Sequence, residues 1–398
     1  MSWTFVLRSH EMESFRRCRR AWDLGARTRQ NYVPIAPAHV FDLDKAIHDA
    51  LAVYYFPAMD DWNRAIVRPL ALQGFHRSMR EQRALYELTA SLTAEQEQEW
   101  REQIQLGETV LKGYFEWAAT VDQFASIFAD QDVWTHIPDP WTADDALAMP
   151  DGRSLRYFGR VDQVISDPND EHWVVDHRIS RHGWAETEEL LLDLVTLSYV
   201  WALEICYPQL KIAGTIHNEL RTHAGGEMRQ AFQDSALDER DRLNMSRARH
   251  VSTRRSPATP IEDEPANRPW DDRPKGDQVG RTEIVKQEGN EQFRRTHIRR
   301  SRTAIESIGV QMAMQTLEMR QAEIRLYPNP SEKNCPNCAY RKPCIAMSAG
   351  FDPAPILATH YRKRSEEEFE EERLRWSSIR RRTPAAFGST GWRSTPTP

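Results

Sequence analysis

Three cysteines stand close together late in the sequence. Cys335, Cys338 and Cys344 have the spacing C-x2-C-x5-C. Thiolates in one short loop can point at one centre, and a tetrahedral or cubane metal site needs a fourth ligand. The other two cysteines, Cys18 and Cys206, are both candidates for that place. The spacing therefore predicts a metal site and leaves zinc and iron–sulfur open.

The two candidate fourth ligands have different surroundings. Cys18 lies in an arginine-rich predicted helix, where positive charge favours the thiolate. Cys206 follows another predicted helix in apolar company, and a free cysteine is often simply a buried small residue. The first 20 residues carry no secretory signal, so we expect a reducing compartment, where metal binding is favoured over disulfides.

Two aspartates are predicted to lie on neighbouring strands. Residues 157–165 and 173–179 read as strands, and the turn-forming residues between them indicate a hairpin. Asp162 and Asp176 can then converge, and Arg178 shares a strand face with Asp176. Carboxylates beside a cation suit a divalent-metal phosphodiester site, because the metal polarises the phosphate and lowers the pKa of a bound water. A surface salt bridge explains the same pattern without chemistry.

Alternating helices and strands must position these residues. The pattern predicts an α/β chain, in which His48 on a helix matters only if it faces the carboxylates. Apolar spacing predicts helices over residues 10–24, 44–55, 62–119, 186–205 and 294–323, and extended segments over 124–137 and 211–218.

Charge and composition are less specific. The chain has 398 residues, of which 28% are charged, with a net charge of −6. No run of residues is apolar enough to span a bilayer. Arginines form two clusters that can contact phosphates or can be solvated helix faces. The clusters are Arg8, Arg16, Arg17, Arg19, Arg20, Arg27 and Arg29, and Arg294, Arg295, Arg299, Arg300 and Arg302.

Two segments differ in character from the rest. Residues 222–290 are rich in Arg, Asp, Glu, Pro and Gly, which predicts a charged insertion or long loop. Residues 351–398 read as a charged, flexible tail with a short helix over 366–375. We therefore expect one domain over residues 1–350, followed by the tail.

The order of these motifs resembles the RecB-like PD-(D/E)XK nucleases that carry an iron–sulfur cluster. That family includes CRISPR-associated exonucleases, the AddB nuclease domain and relatives carried by bacteriophages of actinobacteria. The resemblance covers about residues 5–350, although 222–290 contributes nothing to it. The matching order is Ser9, Cys18-Arg19-Arg20, Ala46-Ile47-His48, Gly159-Arg160-Val161-Asp162, Val175-Asp176-His177-Arg178, Tyr199, then Cys335, Cys338 and Cys344.

The resemblance implies a fold and a set of site residues. The expected fold is a restriction-endonuclease-like core, with a central mixed sheet flanked by helices and an iron–sulfur cluster that ties the helical N-terminus to a C-terminal cysteine knot. Tyr199 matches the tyrosine of the family's Gln-xxx-Tyr motif, and Arg19 and Arg20 are DNA-binding candidates. The implied ligands are His48, Asp162 and Asp176 for Mg²⁺ or Mn²⁺, and Cys18, Cys335, Cys338 and Cys344 for [4Fe–4S].

Two positions depart from the family pattern. Arg178 replaces the expected lysine, and Val195 replaces the expected glutamine. Arginine is planar and is never deprotonated, yet it can stabilise negative charge on phosphate. The implied function is a metal-dependent DNA exonuclease of weakened activity, with Asp162, Asp176, Arg178 and Tyr199 as catalytic residues. The alternatives are a catalytically impaired protein that binds DNA or forms complexes, and a structural zinc protein.

The resemblance also implies partners and a compartment. The expected partner is DNA, as single strands or ends, together with proteins of recombination, replication or defence. We expect the chain in the cytoplasm of a bacterial host cell, without a membrane partner.

Overall fold

The computed structural model describes residues 5–35, 40–88, 90–142, 146–148, 152, 154–180, 183–222, 280–321, 323–332, 334–336 and 338–365. The chain divides into two compact units. Unit 1 comprises residues 1–9 and 39–320, and unit 2 comprises residues 10–38 and 321–398. The predicted nuclease domain over residues 1–350 stays a prediction.

Strands and helices follow one another in short runs along the chain. In order, the strands are β1 Phe5–Arg8, β2 Tyr32–Pro34, β3 Ala125–His136, β4 Leu155–Ser166, β5 His172–Ser180, β6 Ile212–Arg221, β7 Glu283–Gly289, β8 Phe293–Arg299 and β9 Tyr361–Lys363. The helices are α1 Ser9–Arg17, α2 Arg19–Gly25, α3 Leu43–Tyr54, α4 Arg64–Glu87, α5 Ala94–Val121, α6 Thr187–Leu191, α7 Leu194–Cys206, α8 Arg302–Arg320, α9 Arg341–Ser348 and α10 Ala354–His360.

A mixed sheet forms the centre of unit 1. Its strand order is β1-β4-β5-β6-β8-β7, and β3 pairs with the other edge of β4. The pairs β1–β4 and β5–β6 are parallel, and the others are antiparallel. Helices flank the sheet, and α3, α4 and α5 share one apolar core with Leu220 of β6 and Phe293 of β8. The expected α/β class with a mixed, helix-flanked sheet is confirmed.

The predicted hairpin of β4 and β5 is present. The two strands separate beyond Gln163 and Val175, and we call this divergence the fork. β5 pairs with residues 163–166 of β4, while β1 pairs with residues 155–158 along that edge. Gly159 to Asp162 lie between these two partners. A Cβ on Gly159 would lie 2.8 Å from the Tyr157 hydroxyl oxygen and 2.9 Å from the Tyr199 ring, so this position requires glycine. The fork therefore brings Tyr199 of α7 against the middle of β4.

Unit 2 contains two short helical pairs and a small sheet. The predicted helix over 10–24 is interrupted at Cys18, whose extended backbone (φ −162°, ψ 109°) separates α1 from α2. β2 pairs antiparallel with β9. The ring of Tyr361 stacks on Tyr340 at 5.8 Å, and the Tyr340 hydroxyl donates to the carbonyl oxygen of Tyr32 at 2.7 Å. These aromatic contacts join the two sequence-distant parts of the unit.

Several predicted boundaries were wrong. Residues 293–299 form strand β8 where the apolar spacing predicted the start of a helix, because this strand pairs with β6 and β7. Within the predicted loop 222–290, residues 283–289 form β7, and 223–279 lie outside the described residues. Within the predicted tail, residues 354–363 form α10 and β9. Residues 366–398, with their predicted helix, also lie outside the described part.

In the part of the chain that the structure describes, no helix is both long and apolar enough to cross a bilayer.

Candidate functional site

The mouth of the fork holds the two predicted aspartates. The last paired residues of β4 and β5 are Gln163 and Val175, so Asp162 and Asp176 occupy the next position on each diverging strand. The backbone N–H of His177 donates to Oδ2 of Asp162 at 2.7 Å. The Asp162 carboxylate thus bonds a backbone amide of β5 at the point where the ladder stops.

His48 contacts Asp162 from helix α3. The helix begins at an Asp42 N-cap, and His48 lies one turn on, with its Nδ1 3.3 Å from Oδ1 of Asp162. Burial alone would lower the pKa of His48, but the Asp162 carboxylate, helped by Asp44 and Asp176, raises it to about 9. This imidazole is therefore charged at neutral pH when no metal is bound, and a metal ion would have to displace its proton.

A polar cleft of about 210 Å³ surrounds this pair. Arg160 binds Asp132 at 3.0 Å and Asp130 at 3.3 Å, and burial raises the pKa of Asp130. The cleft has carboxylates able to hold a cation and cationic side chains able to meet a phosphate. Its lining residues are Lys45, His48, Asp49, Ala52, Asp130, Arg160, Asp162 and His177.

Asp176 has a different set of partners. Nε of Arg178 donates to Oδ2 of Asp176 at 2.5 Å, and Nη2 of Arg178 donates to Oδ2 of Asp193. Burial would raise the pKa of Asp176, but Arg178 and His217 hold it well below its usual range. The two carboxylates in turn raise the pKa of Arg178 against the effect of burial. One guanidinium thus bridges two carboxylates.

Asp193 and His217 were missed by the sequence analysis. Asp193 caps α7 by accepting from the backbone N–H of Val195 at 2.8 Å. An aspartate before a helical run is a recognisable cap signal, but that signal says nothing about a charged partner. His217 lies opposite Asp176 in the β5–β6 register, with its Nδ1 3.6 Å from Oδ2 of Asp176.

Among the described residues, Asp176, Asp193 and His217 form the one group whose ligand atoms are close enough to share an ion. These atoms all lie within 4.8 Å of one another. His48 contacts Asp162, whereas Asp176 contacts Arg178 and lies beside His217. Asp162 and Asp176 both raise the pKa of His48, so their charges act on the same imidazole. The predicted ligand set of His48, Asp162 and Asp176 stays a prediction.

Tyr199 lies half-buried beneath the fork. Its hydroxyl is 3.2 Å from Oγ of Ser9, a residue that belongs to the same motif order. Burial raises the pKa of Tyr199 well above its ordinary value, and the charges of Asp162 and Asp176 raise it further. The phenol is therefore a neutral hydrogen-bonding group.

The four cysteines of the motif order all belong to unit 2. Nη1 of Arg20 lies 3.6 Å from Sγ of Cys344, and burial raises the pKa of Cys338, as do the nearby thiols of Cys18 and Cys344. Within the described residues, these cysteines are not packed closely enough to share a single ion. Cys206 differs, because in unit 1 its thiol donates to the carbonyl oxygen of Trp134 at 3.2 Å.

The second arginine cluster is engaged inside unit 1. Arg294 pairs with Glu219, Arg295 with Asp122, Arg299 with Glu171 and Arg302 with Glu204. Arg300 is buried and donates to the carbonyl oxygens of Leu190 and Leu191. These cations hold the fold, so the phosphate-binding interpretation of this cluster loses its support.

The DNA-binding candidates in unit 2 also have internal partners. The Arg19 guanidinium lies over the rings of Phe15 and Tyr327, at 4.9 and 5.0 Å from their centroids. Arg20 donates to the carbonyl oxygen of Cys344 at 3.3 Å and to Oγ of Ser348 at 2.7 Å. Their predicted contact with DNA stays a prediction.

Neither a search against models of protein families nor a search of curated proteins found a match to this chain. The likeness to RecB-like nucleases therefore rests on the order of motifs in the sequence.

Proposed function

We propose that the chain is a metal-dependent DNA nuclease that hydrolyses phosphodiester bonds, acting as an exonuclease on single strands or DNA ends. The observation that carries the proposal is the fork. Asp162 and Asp176 occupy the first positions beyond the paired part of β4 and β5, and His48 contacts Asp162 at 3.3 Å. The resemblance to RecB-like nucleases implies a metal-binding role for each of these three residues.

The donor chemistry of this group fits a divalent cation. Carboxylate oxygens suit Mg²⁺, and an added imidazole nitrogen makes Mn²⁺ equally suitable. His48, Asp162 and Asp176 would hold the ion, which would supply Lewis-acid polarisation of the phosphate and a more acidic water. Because the pKa of His48 is about 9, its proton must leave before the imidazole can bind metal.

The remaining residues of the site have positioning roles. The backbone N–H of His177 fixes the Asp162 carboxylate, and Arg178 fixes that of Asp176. Lys45 and Arg160 line the cleft and can contact a phosphate, once Lys45 exchanges its bond to Asp49 for the substrate. The half-buried Tyr199 ring packs against β4 at Gly159.

Arg178 makes a slow nuclease the expected form of this activity. An arginine cannot take a proton from water, so it cannot act as a general base. Its guanidinium is also engaged by Asp176 and Asp193. It can orient the Asp176 carboxylate.

The same contact favours a second candidate function. A guanidinium that bridges two carboxylates competes with any divalent ion for Asp176. A chain with this feature could bind DNA or join a complex without cleaving it. Digestion of end-labelled DNA with and without Mn²⁺ separates the two functions.

We propose further that Cys18, Cys335, Cys338 and Cys344 bind a [4Fe–4S] cluster. A four-iron cubane is larger than one ion, so its thiolates need not crowd together as the ligands of a single ion do. The extended backbone at Cys18 and the closeness of Cys18, Cys338 and Cys344 support this set. Arg20 beside Cys344 would offset part of the cluster's negative charge.

The cluster proposal has a direct optical test. Protein purified without oxygen should be brown, with broad absorbance near ~400 nm and with iron and sulfide bound. Cys344→Ser should lose most of this signal, whereas Cys206→Ser should keep it. Stoichiometric zinc in place of iron would instead support the structural zinc alternative.

The nuclease proposal is tested by digestion of end-labelled DNA with and without Mn²⁺. Asp162→Asn is the matched control, because an amide oxygen can still accept from the N–H of His177 while the carboxylate is lost. Cleavage that needs Mn²⁺ and disappears in Asp162→Asn supports the nuclease. Cleavage that survives in that variant comes from another protein, and DNA binding without cleavage favours the second candidate.

DNA, proteins of recombination, replication or defence, and the bacterial cytoplasm remain the proposed partners and compartment. These proposals depend on the motif order alone.

A further inference from the structure

We propose that Asp176, Asp193 and His217 form a divalent-cation site of their own and that the Arg178 guanidinium keeps it closed. The site shares Asp176 with the proposed nuclease centre, but it excludes His48 and Asp162 and does not depend on DNA cleavage.

The two carboxylates of this group share one guanidinium. The side chains of Asp176, Asp193 and Arg178 are only 16%, 10% and 32% exposed. The charge of the buried Arg300 also acts on Asp193. A divalent cation bound directly to both carboxylates would take the place of Arg178 as the cation that contacts them.

His217 supplies an independent sign of a ligand. Its side chain is fully buried, and among the described residues its Nδ1 has no hydrogen-bond partner. This nitrogen points towards Asp176, at 3.6 Å from Oδ2, which is longer than a hydrogen bond. A buried imidazole nitrogen that makes only a long ion-pair contact, beside two carboxylates, is a donor that a metal ion could bind.

The other ring nitrogen of His217 can support this role. Its Nε2 lies 3.4 Å from Oγ1 of Thr215, which can accept a hydrogen from it. With Nε2 protonated, the lone pair of Nδ1 faces the carboxylates, and an outer hydrogen bond of this kind orients most metal-binding histidines. Nη2 of Arg300 also lies 3.4 Å from Nε2 and donates to the Leu190 carbonyl oxygen at 2.9 Å. Because Nη2 can only donate, this contact opposes the tautomer with Nε2 protonated, and the Thr215 contact favours it.

The three ligands are held by backbone pairing or cap bonds, whereas the guanidinium between them is held by its two ion pairs. Asp176 and His217 are opposite residues of the paired strands β5 and β6, and Asp193 is fixed by its cap bonds to the N–H groups of Val195 and Thr196. Arg178 is one-third exposed and reaches the site on a long unbranched side chain. Rotation of that side chain towards solvent would open the site without moving the backbone.

The donor set indicates the class of ion. Two carboxylate oxygens and one imidazole nitrogen suit Mn²⁺ or Zn²⁺ better than Ca²⁺, which takes six or more oxygen ligands. Three protein ligands leave positions open for water. We therefore choose Mn²⁺ as the probe, because its free and bound forms are distinguished by electron paramagnetic resonance.

The test measures Mn²⁺ binding in the full chain without DNA. Every variant carries Asp162→Asn, so that the proposed nuclease centre contributes little. Adding Arg178→Met should tighten binding of one Mn²⁺ by at least about tenfold, since a competing cation is removed. Adding Asp193→Asn or His217→Gln to that double variant should abolish the gain. Arg299→Met, a change at an exposed ion pair, should produce no gain.

Two results would overturn the site. One is an unchanged Mn²⁺ affinity after Arg178→Met in protein that keeps its thermal unfolding transition. The other is a gain that persists after both Asp193→Asn and His217→Gln. Arg178→Gln is a second, polar replacement in case the methionine variant does not fold, and the same outcomes apply to it. Failure of the nuclease proposal would appear separately, as an absence of DNA cleavage by the unaltered chain.

Discussion

Strand β5 separates two polar networks, and each is built around an arginine. His177 faces one side of the sheet with Asn218, where Arg295 donates to Asn218, Asp122, Tyr55 and Tyr114. Asp176 and Arg178 face the other side, because side chains alternate along a strand. The Arg295 side chain is 4% exposed, and that of Arg178 is 32% exposed.

This difference separates a structural arginine from a replaceable one. Arg295 meets one carboxylate, two phenols and an amide, so its charge is balanced and its hydrogen bonds are made. Arg178 meets two carboxylates, and one of them, Asp193, is also within reach of the charge of Arg300. Burial with matched partners makes a cation part of the core, whereas partial exposure with unmatched charge leaves room for a ligand.

Arg295→Met should have the largest effect on stability. The change leaves the Asp122 carboxylate, which is 15% exposed, and two phenols without their cation. Breaking a buried pair in this way costs about 3–5 kcal/mol, which urea unfolding monitored by circular dichroism would measure. A loss below about 1 kcal/mol would contradict the structural role given to this network.

Acid should weaken the same network through His177. Burial, opposed by Asp162 and aided by His48 and Arg295, lowers the pKa of His177 from 6.5 to about 4. The unfolded chain then binds a proton between these pH values that the folded chain does not, so stability is complete above pH 6.5 and falls as pH decreases towards 4. The expected loss is ~3 kcal/mol.

Urea unfolding at several pH values measures this loss, with His177→Gln as the control. Glutamine can accept the Asn218 hydrogen bond but does not titrate. Its unfolding free energy should therefore depend less on pH between 6.5 and 4 than that of the unaltered chain. Equal pH dependence of the two proteins would contradict the assignment.

Arg178→Met should cost less than Arg295→Met. Two charged hydrogen bonds are lost, but the group is one-third exposed and water can replace part of them, so we expect about 1–2 kcal/mol. Arg178→Lys should cost less again, because it keeps the charge. If Arg178→Met destabilised the chain as much as Arg295→Met, the contrast between the two networks would fail.

Arg299→Met should have the smallest effect. Arg299 lies on the same strand as Arg295 and binds Glu171 through two nitrogens, but both side chains are more than one-third exposed. Surface pairs of this kind contribute about 0–1 kcal/mol. The same unfolding measurement at low and at ~1 M salt would show a small, salt-sensitive difference.

The sequence predicted the hairpin and its aspartates because local signals define them. Turn-forming residues fix the hairpin ends of β4 and β5, and Asp162 and Asp176 follow the last paired residues, Gln163 and Val175. The motif order also drew attention to Ser9 and Tyr199, whose hydroxyl oxygens lie 3.2 Å apart. Features that depend on nearby residues in the sequence could therefore be predicted from the sequence.

Strand β8 and the group around Asp176 could not be predicted from local sequence signals. Asp122, the partner of Arg295, lies 173 positions away in the sequence, and Glu171, the partner of Arg299, lies 128 positions away. Without knowledge of these partners, the sequence left both phosphate contact and a solvated helix face open for this arginine cluster. Its helical spacing predicted the wrong element for residues 293–299. Asp193 and His217 likewise meet Asp176 only through the start of α7 and the β5–β6 register. Neither the Asp193–Asp176 contact nor the His217–Asp176 contact can be inferred from sequence spacing.

The composition of unit 2 has a consequence for synthesis on the ribosome. The unit combines residues 10–38 with residues 321–398, so Cys18 emerges about 330 residues before Cys344. At ~5–20 residues per second, the Cys18 thiol waits roughly 15 to 65 seconds for the other three cysteines of its unit. An ion or cluster bound by all four would therefore be inserted only after Cys344 has been synthesised, and a nascent chain stalled before Cys335 would be expected to lack it.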